Sequence, residues 1–265
     1  MEYKTLNNGI KIPKIGYGVY KVEKEITTQC VLEAIKCGYR HIDTAHYYYN
    51  EEEVGRAIIQ SNIPREEFFI TTKITEAKDY EEACKMIDIA LEKLQVSYID
   101  LMLIHWPAGD NLAMYKAMED YYKEGKLKAI GLSNFYGDSL QEILDNATIM
   151  PALNQIEVNV FQAQKEMQEI LDKYNIALEA WSPLASGMHN IFENELLLKL
   201  ASKYNKSVAQ IALRYLYQRD IIIIPRSINP KRIKENFDIL DFNIDDDDIS
   251  LIETLDKHKS IFEWE

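Results

Sequence analysis

The chain is poor in several residue types, and each scarcity narrows what it can be. Only three cysteines occur in 265 residues, Cys30, Cys37 and Cys84. The number is odd and no Cys-x-x-Cys pair exists, which argues against a disulfide framework or a thiolate metal site and for buried structural thiols. The five histidines are scattered, with no His-Glu-x-x-His spacing, so no metal is expected. Positive charge is also short: 30 Lys and Arg face 43 Asp and Glu, for a net charge of -13. Such a surface repels phosphate backbones, so no nucleic-acid partner is expected, and any bound anion needs a local basic pocket. No run of eighteen apolar residues occurs, and Met1-Glu2-Tyr3-Lys4 lacks the apolar stretch of a secretory signal. A soluble, cytoplasmic protein without a membrane partner is the expectation.

What is present is regular. Residues 3–6, then Asn7-Asn8-Gly9, then Ile10-Lys11-Ile12 read as a β-hairpin, because Asn-Gly supplies the positive φ of a tight turn. From Ile15 onward, short apolar runs alternate with amphipathic stretches. The strands read as 15–19, 41–43, 68–73, 101–105, 129–132, 153–156, 176–181 and 221–224. The helices read as 25–37, 51–60, 79–94, 111–124, 138–145, 164–173, 193–203, 207–219, 230–238 and 247–256. Gly38 and Gly125 fit as helix stops. Several strands are apolar without alternation, as strands covered on both faces are. Eight β-then-α units predict an α/β fold, a (β/α)8 TIM barrel with an N-terminal β-hairpin. With no linker or composition break, residues 1–265 read as one domain. The acidic run Asp245 to Asp248 lacks the Gly and Glu of a calcium loop and reads as a helix start favoured by the dipole.

In such a barrel the chemistry sits at the carboxyl ends of the strands. Those ends carry Gly18, Val19 and Tyr20; Asp43 with a loop of three tyrosines; Lys73; His105-Trp106-Pro107; Ser133-Asn134; Gln155; Trp181-Ser182; and Pro225-Arg226-Ser227. A free phenol titrates near pH ~10, and a neighbouring lysine ammonium is expected to lower that value. Asp43 pairs with Lys73 in this reading, and His105 orients a carbonyl oxygen for protonation by tyrosine. Each residue alone is structural more often than not, and strand phase does not choose among Tyr47, Tyr48 and Tyr49. Four suitable types at successive strand ends are harder to dismiss.

A second cluster, Ile224-Pro225-Arg226-Ser227-Ile228-Asn229-Pro230-Lys231-Arg232, follows the last strand and opens a helix, where barrels commonly bind phosphate. Arg232 offers a planar fork to a phosphate. The bland alternative is a solvated helix start. A dinucleotide fingerprint is missing: Gly16-x-Gly18 is followed by Lys21 where a third glycine is needed. A dinucleotide would therefore lie on the barrel rim, with Trp181 as a stacking face and Ser133, Asn134 and Gln155 for a carboxamide. Core packing is the plain alternative for Trp181.

These segments resemble the aldo-keto reductases over essentially the whole chain. The matching stretches are Gly38 to Ala45 with Tyr48 and Asn50-Glu51; Thr72-Lys73; Leu103 to Pro107; Gly131 to Phe135; Asn154 to Glu157; Ala180 to Leu184; and Ile224 to Phe237. The resemblance implies NADPH-dependent carbonyl reduction by a tetrad of Asp43, Tyr48, Lys73 and His105, and it selects Tyr48 among the three tyrosines. It implies that Arg226, Ser227, Asn229 and Arg232 surround the NADPH 2′-phosphate, with Glu235 and Asn236 near the adenine. It further implies Trp181 against the nicotinamide and Ser182, Pro183, Leu184 and Ser186 over the pyrophosphate. Tyr20, Tyr48, His105 and Trp106 then face a small carbonyl substrate, and a monomer is the family default.

Departures from the family pattern are Val19 where many members have Thr, Tyr20 for a frequent Trp, and Ile74-Thr75 without an aromatic. The loop after Trp106 is short, and little chain follows Lys257. The pattern is that of compact microbial members, similar to the diketogluconate reductase-like type, with an open pocket. Sugar aldehydes, diketo acids, dicarbonyls and quinones all remain candidate substrates. Two other classes stand beside this reading. A reductase-like barrel that senses the nucleotide and regulates a partner would bind NADPH without turnover. A metal-dependent barrel hydrolase would need clustered ligands that the sequence lacks.

Overall fold

Tyr3–Thr5 (β1) and Lys11–Pro13 (β2) form the antiparallel hairpin, with Tyr3 opposite Pro13 and Thr5 opposite Lys11. Gly9 sits in its turn at φ +85°, a conformation glycine adopts without steric cost. The computed structural model describes residues 2–260 and residue 262. Among them, eight parallel strands follow: β3 (Gly16–Gly18), β4 (His41–Asp43), β5 (Phe69–Ile74), β6 (Ile99–Ile104), β7 (Leu127–Ser133), β8 (Leu153–Glu157), β9 (Ala177–Trp181) and β10 (Ile222–Ile223), each hydrogen-bonded to the next. The ring closes where Ile15 bridges Ile223 and the Ile223 N–H donates to the Lys14 carbonyl at 2.9 Å.

The helices are α1 (Lys24–Cys37), α2 (Glu51–Gln60), α3 (Tyr80–Leu94), α4 (Asn111–Lys123), α5 (Gly137–Asn146), α6 (Lys165–Lys173), α7 (Glu195–Tyr204), α8 (Val208–Gln218), α9 (Pro230–Phe237) and α10 (Asp246–Glu253). Side chains cap several of their starts, as Asp79 does for α3 and Ser207 with Gln210 for α8. Asp246, Asp247 and Asp248 fill the first turn of α10, the helix start expected for the acidic run; Asp248 also accepts from Lys203 at 2.6 Å and from the Tyr204 hydroxyl at 2.5 Å. All three cysteines are free thiols, but only Cys30 is buried, so the expectation of buried thiols fails for Cys37 and Cys84, which lie half-buried.

The first and last barrel strands are shorter than 15–19 and 221–224. They meet at the closure, where pairing reduces to single bridges, and Pro225 has no N–H to extend a ladder. A 3-10 turn, His46–Tyr48, occupies part of the loop after β4.

Strand alternation sorts the side chains into layers. Ile42, Ile70, Met102, Ile104, Ile130, Leu132, Ile156 and Leu178 face outward against the helices. The other phase fills the barrel. At its amino-terminal end Phe69, Leu101, Leu103, Ala129, Leu153, Ala177 and Ile222 pack with Leu6 and Ile12 of the hairpin, which plugs that end. Toward the other end the same phase turns polar, through His41, Thr71, Glu179 and Gln155 to Asp43 and Lys73, all buried. The plug thus closes the amino-terminal end of the barrel, and the polar layer lies toward the other end.

Ile12 has no exposed surface and forms part of that plug. Ile12→Ala is expected to lower stability by about 2–4 kcal/mol through lost burial and a residual cavity, read as a shift in the urea midpoint.

Candidate active site

β4 and β5 run in register, with Asp43 beside Thr71, so Lys73 lies one side-chain layer nearer the mouth. The Lys73 ammonium donates to Asp43 Oδ1 at 2.7 Å and to the Thr44 carbonyl at 2.9 Å, and lies 3.5 Å from the Tyr48 hydroxyl. The loop that carries Tyr48 is held from both sides. Thr44 donates to Asn50 Oδ1 at 2.8 Å, and Asn50 Nδ2 donates to the Val19 carbonyl at 3.1 Å. The Tyr48 N–H closes the turn on Ala45, and Tyr49 ends it at φ +57°. Tyr47 and Tyr49 are 60% and 67% exposed, while Tyr48 turns inward toward Lys73. Geometry therefore separates three tyrosines that strand phase did not.

His105 follows β6 and its N–H donates to the Ile74 carbonyl at 2.8 Å. Its ring meets that of Tyr48 edge-on, with centroids 5.5 Å apart. Asp43, Lys73, Tyr48 and His105 thus share one small volume. His105 Nδ1 is buried with no protein partner, so Nε2 is the nitrogen left to meet a ligand. Tyr20, half exposed, lies 5.0 Å from Tyr48 between ring centroids, and Trp106 lies 6.2 Å from His105, so both stand at the mouth.

Burial dominates the electrostatics. It works against the Lys73 ammonium, but the Asp43 charge, the neighbouring Tyr48 and the hydrogen bond to Asp43 outweigh it and hold Lys73 above the ordinary lysine range. Burial pushes the Asp43 carboxyl up, opposed by the Lys73 charge and by hydrogen bonds from Lys73 and Gln155. Tyr48 departs from expectation. Its phenol is pushed up to about 12 by burial, and Lys73 only partly offsets this. The ammonium that was to lower it spends its shorter bonds on Asp43 and Thr44. Burial and the Lys73 charge lower His105 to about 3, so its imidazole is neutral at any ordinary pH.

The carboxamide candidates are already engaged with one another. Asn134, at φ +63°, donates from Nδ2 to the His105 carbonyl and to Ser133 Oγ, each at 3.0 Å. Its Oδ1 accepts from Trp181 Nε1 at 2.8 Å. Gln155 Nε2 donates to Asp43 Oδ2 at 2.8 Å. Trp181 also meets the ring of Phe262, centroids 5.4 Å apart.

After β9, Ser182, Ala185 and Ser186 all hold positive φ, and the Ser182 and Ser186 hydroxyls are 2.7 Å apart. Pro183 is buried and Leu184 half-buried in the same loop. Non-glycine residues in the left-handed region cost energy and gather at functional loops. After β10, Arg226 is exposed and donates to the Lys21 carbonyl, tying the loops after β3 and β10 together. Asn229 caps α9, accepting from the Lys231 N–H at 2.9 Å and the Arg232 N–H at 3.4 Å. Those amides are therefore spoken for, and the anion donors left at this helix start are side chains. Ser227 Oγ accepts from the Asn229 N–H at 3.1 Å, which leaves its hydroxyl proton to donate elsewhere. Ile228 and Arg232 are exposed, Glu235 half-buried and Asn236 buried. Val19 and Ile224 are buried, and Val19 packs into the core between sheet and helices. Gly18 has room for little more than hydrogen, since a Cβ there would lie 3.1 Å from the Ile224 carbonyl.

Reading only the strand ends missed three buried polar residues beneath and beside the tetrad. Glu179 and His41 lie one layer down, with 3.7 Å between Glu179 Oε1 and His41 Nε2. Glu51 accepts from Thr72 at 2.7 Å and so ties the start of α2 to the strand that carries Lys73. A charged residue inside an apolar strand, as in Ala177-Leu178-Glu179-Ala180-Trp181, was the available signal.

A barrel with a buried Lys–Asp pair beside a tyrosine and a neutral histidine defines a class, and comparison with known proteins supplies its name. The model of the aldo/keto reductase family matches residues 14–257. The chain is 45% identical to a glyoxal reductase of Bacillus subtilis over 97% of this chain and 93% of that one. It is 39% identical to methylglyoxal reductase DkgA of Escherichia coli over 97% and 94%. Among solved structures, an aldo-keto reductase from a Medee basin deep-sea metagenome library superposes with a TM-score of 0.95 at 44% identity, covering 98% and 97% of the two chains. A Bombyx mori aldo-keto reductase in complex with NADP gives 0.93 at 33% identity, over 99% and 95%. The chain belongs to the aldo/keto reductase family.

Because His105 is held near 3, a pH profile of turnover is expected to show no inflection near the ordinary histidine value of about 6.5. An acid limb there that disappears in His105→Gln would contradict this.

Proposed function

We propose that the protein is a cytoplasmic, monomeric, one-domain enzyme that reduces small aldehydes and ketones to alcohols with NADPH. The observation that carries the reading is the Lys73 ammonium, set 2.7 Å from Asp43 Oδ1 and 3.5 Å from the Tyr48 hydroxyl. When bound, NADPH supplies a hydride from C4 of its nicotinamide to the carbonyl carbon. Tyr48 gives its proton to the carbonyl oxygen as charge builds there, and the alcohol results. Lys73 stabilises the phenolate left behind, Asp43 keeps Lys73 charged and in place, and solvent returns the proton. Neutral His105 donates from Nε2 to the carbonyl oxygen and aims it at Tyr48. A phenol held up to about 12 suits this direction: it stays protonated until a developing alkoxide, the stronger base, takes the proton.

The residues present fit the cofactor by the chemistry of their donors. Arg226 and Arg232 are exposed guanidinium groups beside a serine hydroxyl with a proton to spare, a set suited to the 2′-phosphate. Asn229 acts in this reading through its cap of α9 as well as beside the phosphate. Gly18, Val19 and Tyr20 frame the rim of the cofactor groove. Ser133, Asn134 and Gln155 receive the carboxamide, Trp181 stacks on the ring, and the left-handed loop from Ser182 to Ser186 covers the pyrophosphate. Ile224, Pro225 and Ile228 shape the phosphate loop, and Glu235 and Asn236 adjoin the adenine. Tyr20, Trp106 and the tetrad face the substrate. The relatives named glyoxal reductase and methylglyoxal reductase make short dicarbonyls the first substrates to try.

Tyr48→Phe is expected to keep NADPH binding and to lose about 10²–10⁴-fold in turnover; wild-type rates on small aldehydes in that variant would sink the mechanism. Tight NADPH binding by the wild type with no oxidation across a broad carbonyl panel would favour the nucleotide sensor instead. Arg232→Ala is expected to weaken NADPH binding by about 10- to 100-fold and NADH binding little. Equal losses for both nucleotides would remove Arg232 from the 2′-phosphate.

A further inference from the structure

Glu179 lies in the middle of β9 with no exposed surface. Register sets it between Gln155 of β8 and Ile222 of β10. Its Oε2 accepts from Gln155 Nε2 at 3.2 Å, and the same nitrogen donates to Asp43 Oδ2 at 2.8 Å. Both amide hydrogens of Gln155 are thereby committed to carboxyl oxygens. Turning the amide over would aim its carbonyl at Asp43 Oδ2, an acceptor 2.8 Å away, so this orientation is the one the site permits. Across the barrel Glu179 Oε1 is buried, lies 3.7 Å from His41 Nε2, and has no hydrogen-bond partner.

The titratable groups that face Glu179 are His41 and Asp43 of β4 and Lys73 of β5. Gln155 of β8 is uncharged, and Ile222 of β10 is apolar. His41 is itself held neutral, lowered to about 3 chiefly by burial. One ammonium therefore serves two buried carboxyls, and it bonds directly to Asp43. Two like charges beside one counter-charge in a buried site do not both ionise readily. Burial first, and the Asp43 charge second, push Glu179 up to about 8. It is neutral through most of the working range.

We propose that Glu179 is a positioning residue for carbonyl reduction: through the Gln155 amide it steadies Asp43, and with it Lys73 and Tyr48, and together with Asp43 it holds the end of Gln155 that faces the mouth. This rests on the tetrad reading above. With Nε2 held below, Gln155 presents its Oε1, an acceptor, to the N–H groups of a carboxamide. The protonation state of Glu179 also reaches the acid. Its ionisation adds negative charge beside Asp43, makes the Tyr48 proton harder to release, and slows reduction as the pH passes about 8.

The test compares wild type, E179L and E179Q on a carbonyl compound that the wild type reduces, with kcat followed from below to above that pH and NADPH affinity read by quenching of tryptophan fluorescence. E179L, which has no acceptor, is expected to lose about tenfold or more in kcat and to bind NADPH more weakly. E179Q keeps a carbonyl oxygen for the same bond. It is expected to recover most of the turnover lost in E179L, and its profile should lack the wild-type decline centred near pH 8. The proposal is overturned if E179L keeps kcat within about twofold of wild type, if the wild type shows no such decline, or if E179Q retains it. Should E179L not fold, the E179Q profile decides alone. A wild type inactive on every carbonyl removes the tetrad reading and this proposal together, whereas an active wild type with unaffected variants removes only the role of Glu179.

Discussion

A lysine ammonium with almost no exposed surface has to be met by opposite charge, and Asp43 meets that of Lys73 at 2.7 Å. Taking both ions out of water is costly, and their attraction repays the cost only when the remaining donors and acceptors are satisfied. Here they are: the Thr44 carbonyl takes a second Lys73 hydrogen, and Gln155 fills the other Asp43 oxygen. A pair held this way cannot wander, so the Tyr48 phenol beside it stands in a fixed field. The proposed chemistry depends on that fixity, because a proton donor at about 12 works only when the charge that stabilises its conjugate base is already in place.

The barrel makes the pair possible. The hairpin plug and the apolar layer above it close the amino-terminal end, so the polar layer is set toward the mouth. Burial there shifts every titratable group the same way, toward its neutral form. His41 and His105 fall to about 3 and Glu179 rises to about 8. Only Lys73 resists, because the Asp43 charge outweighs its burial, while the Asp43 carboxyl is still raised in spite of Lys73.

Much of this was written plainly in the chain. Short apolar runs punctuated by glycine and proline repeat eight times, and a charged or polar residue ends most of them, so the barrel and three candidates for the proposed tetrad, Asp43, Lys73 and His105, could be read from pattern alone. The fourth could not. Three tyrosines in a row differ only in how a 3-10 turn directs them, and that turn is set by Asn50 reaching across to Val19, a contact no local pattern reveals. Glu179 and His41 escaped for a different reason. They sit inside strands rather than at their ends, and their partners come from strands distant in sequence. Lys73 does pull the Tyr48 phenol down, as the sequence suggests, but sequence does not show the burial that outweighs it.

The dependence of the site on the buried ammonium is best tested by Lys73→Met, which keeps the side-chain volume close and removes the charge. The account predicts that carbonyl reduction with NADPH falls by about two orders of magnitude or more while the fold and NADPH binding persist. Wild-type turnover in that variant would contradict it.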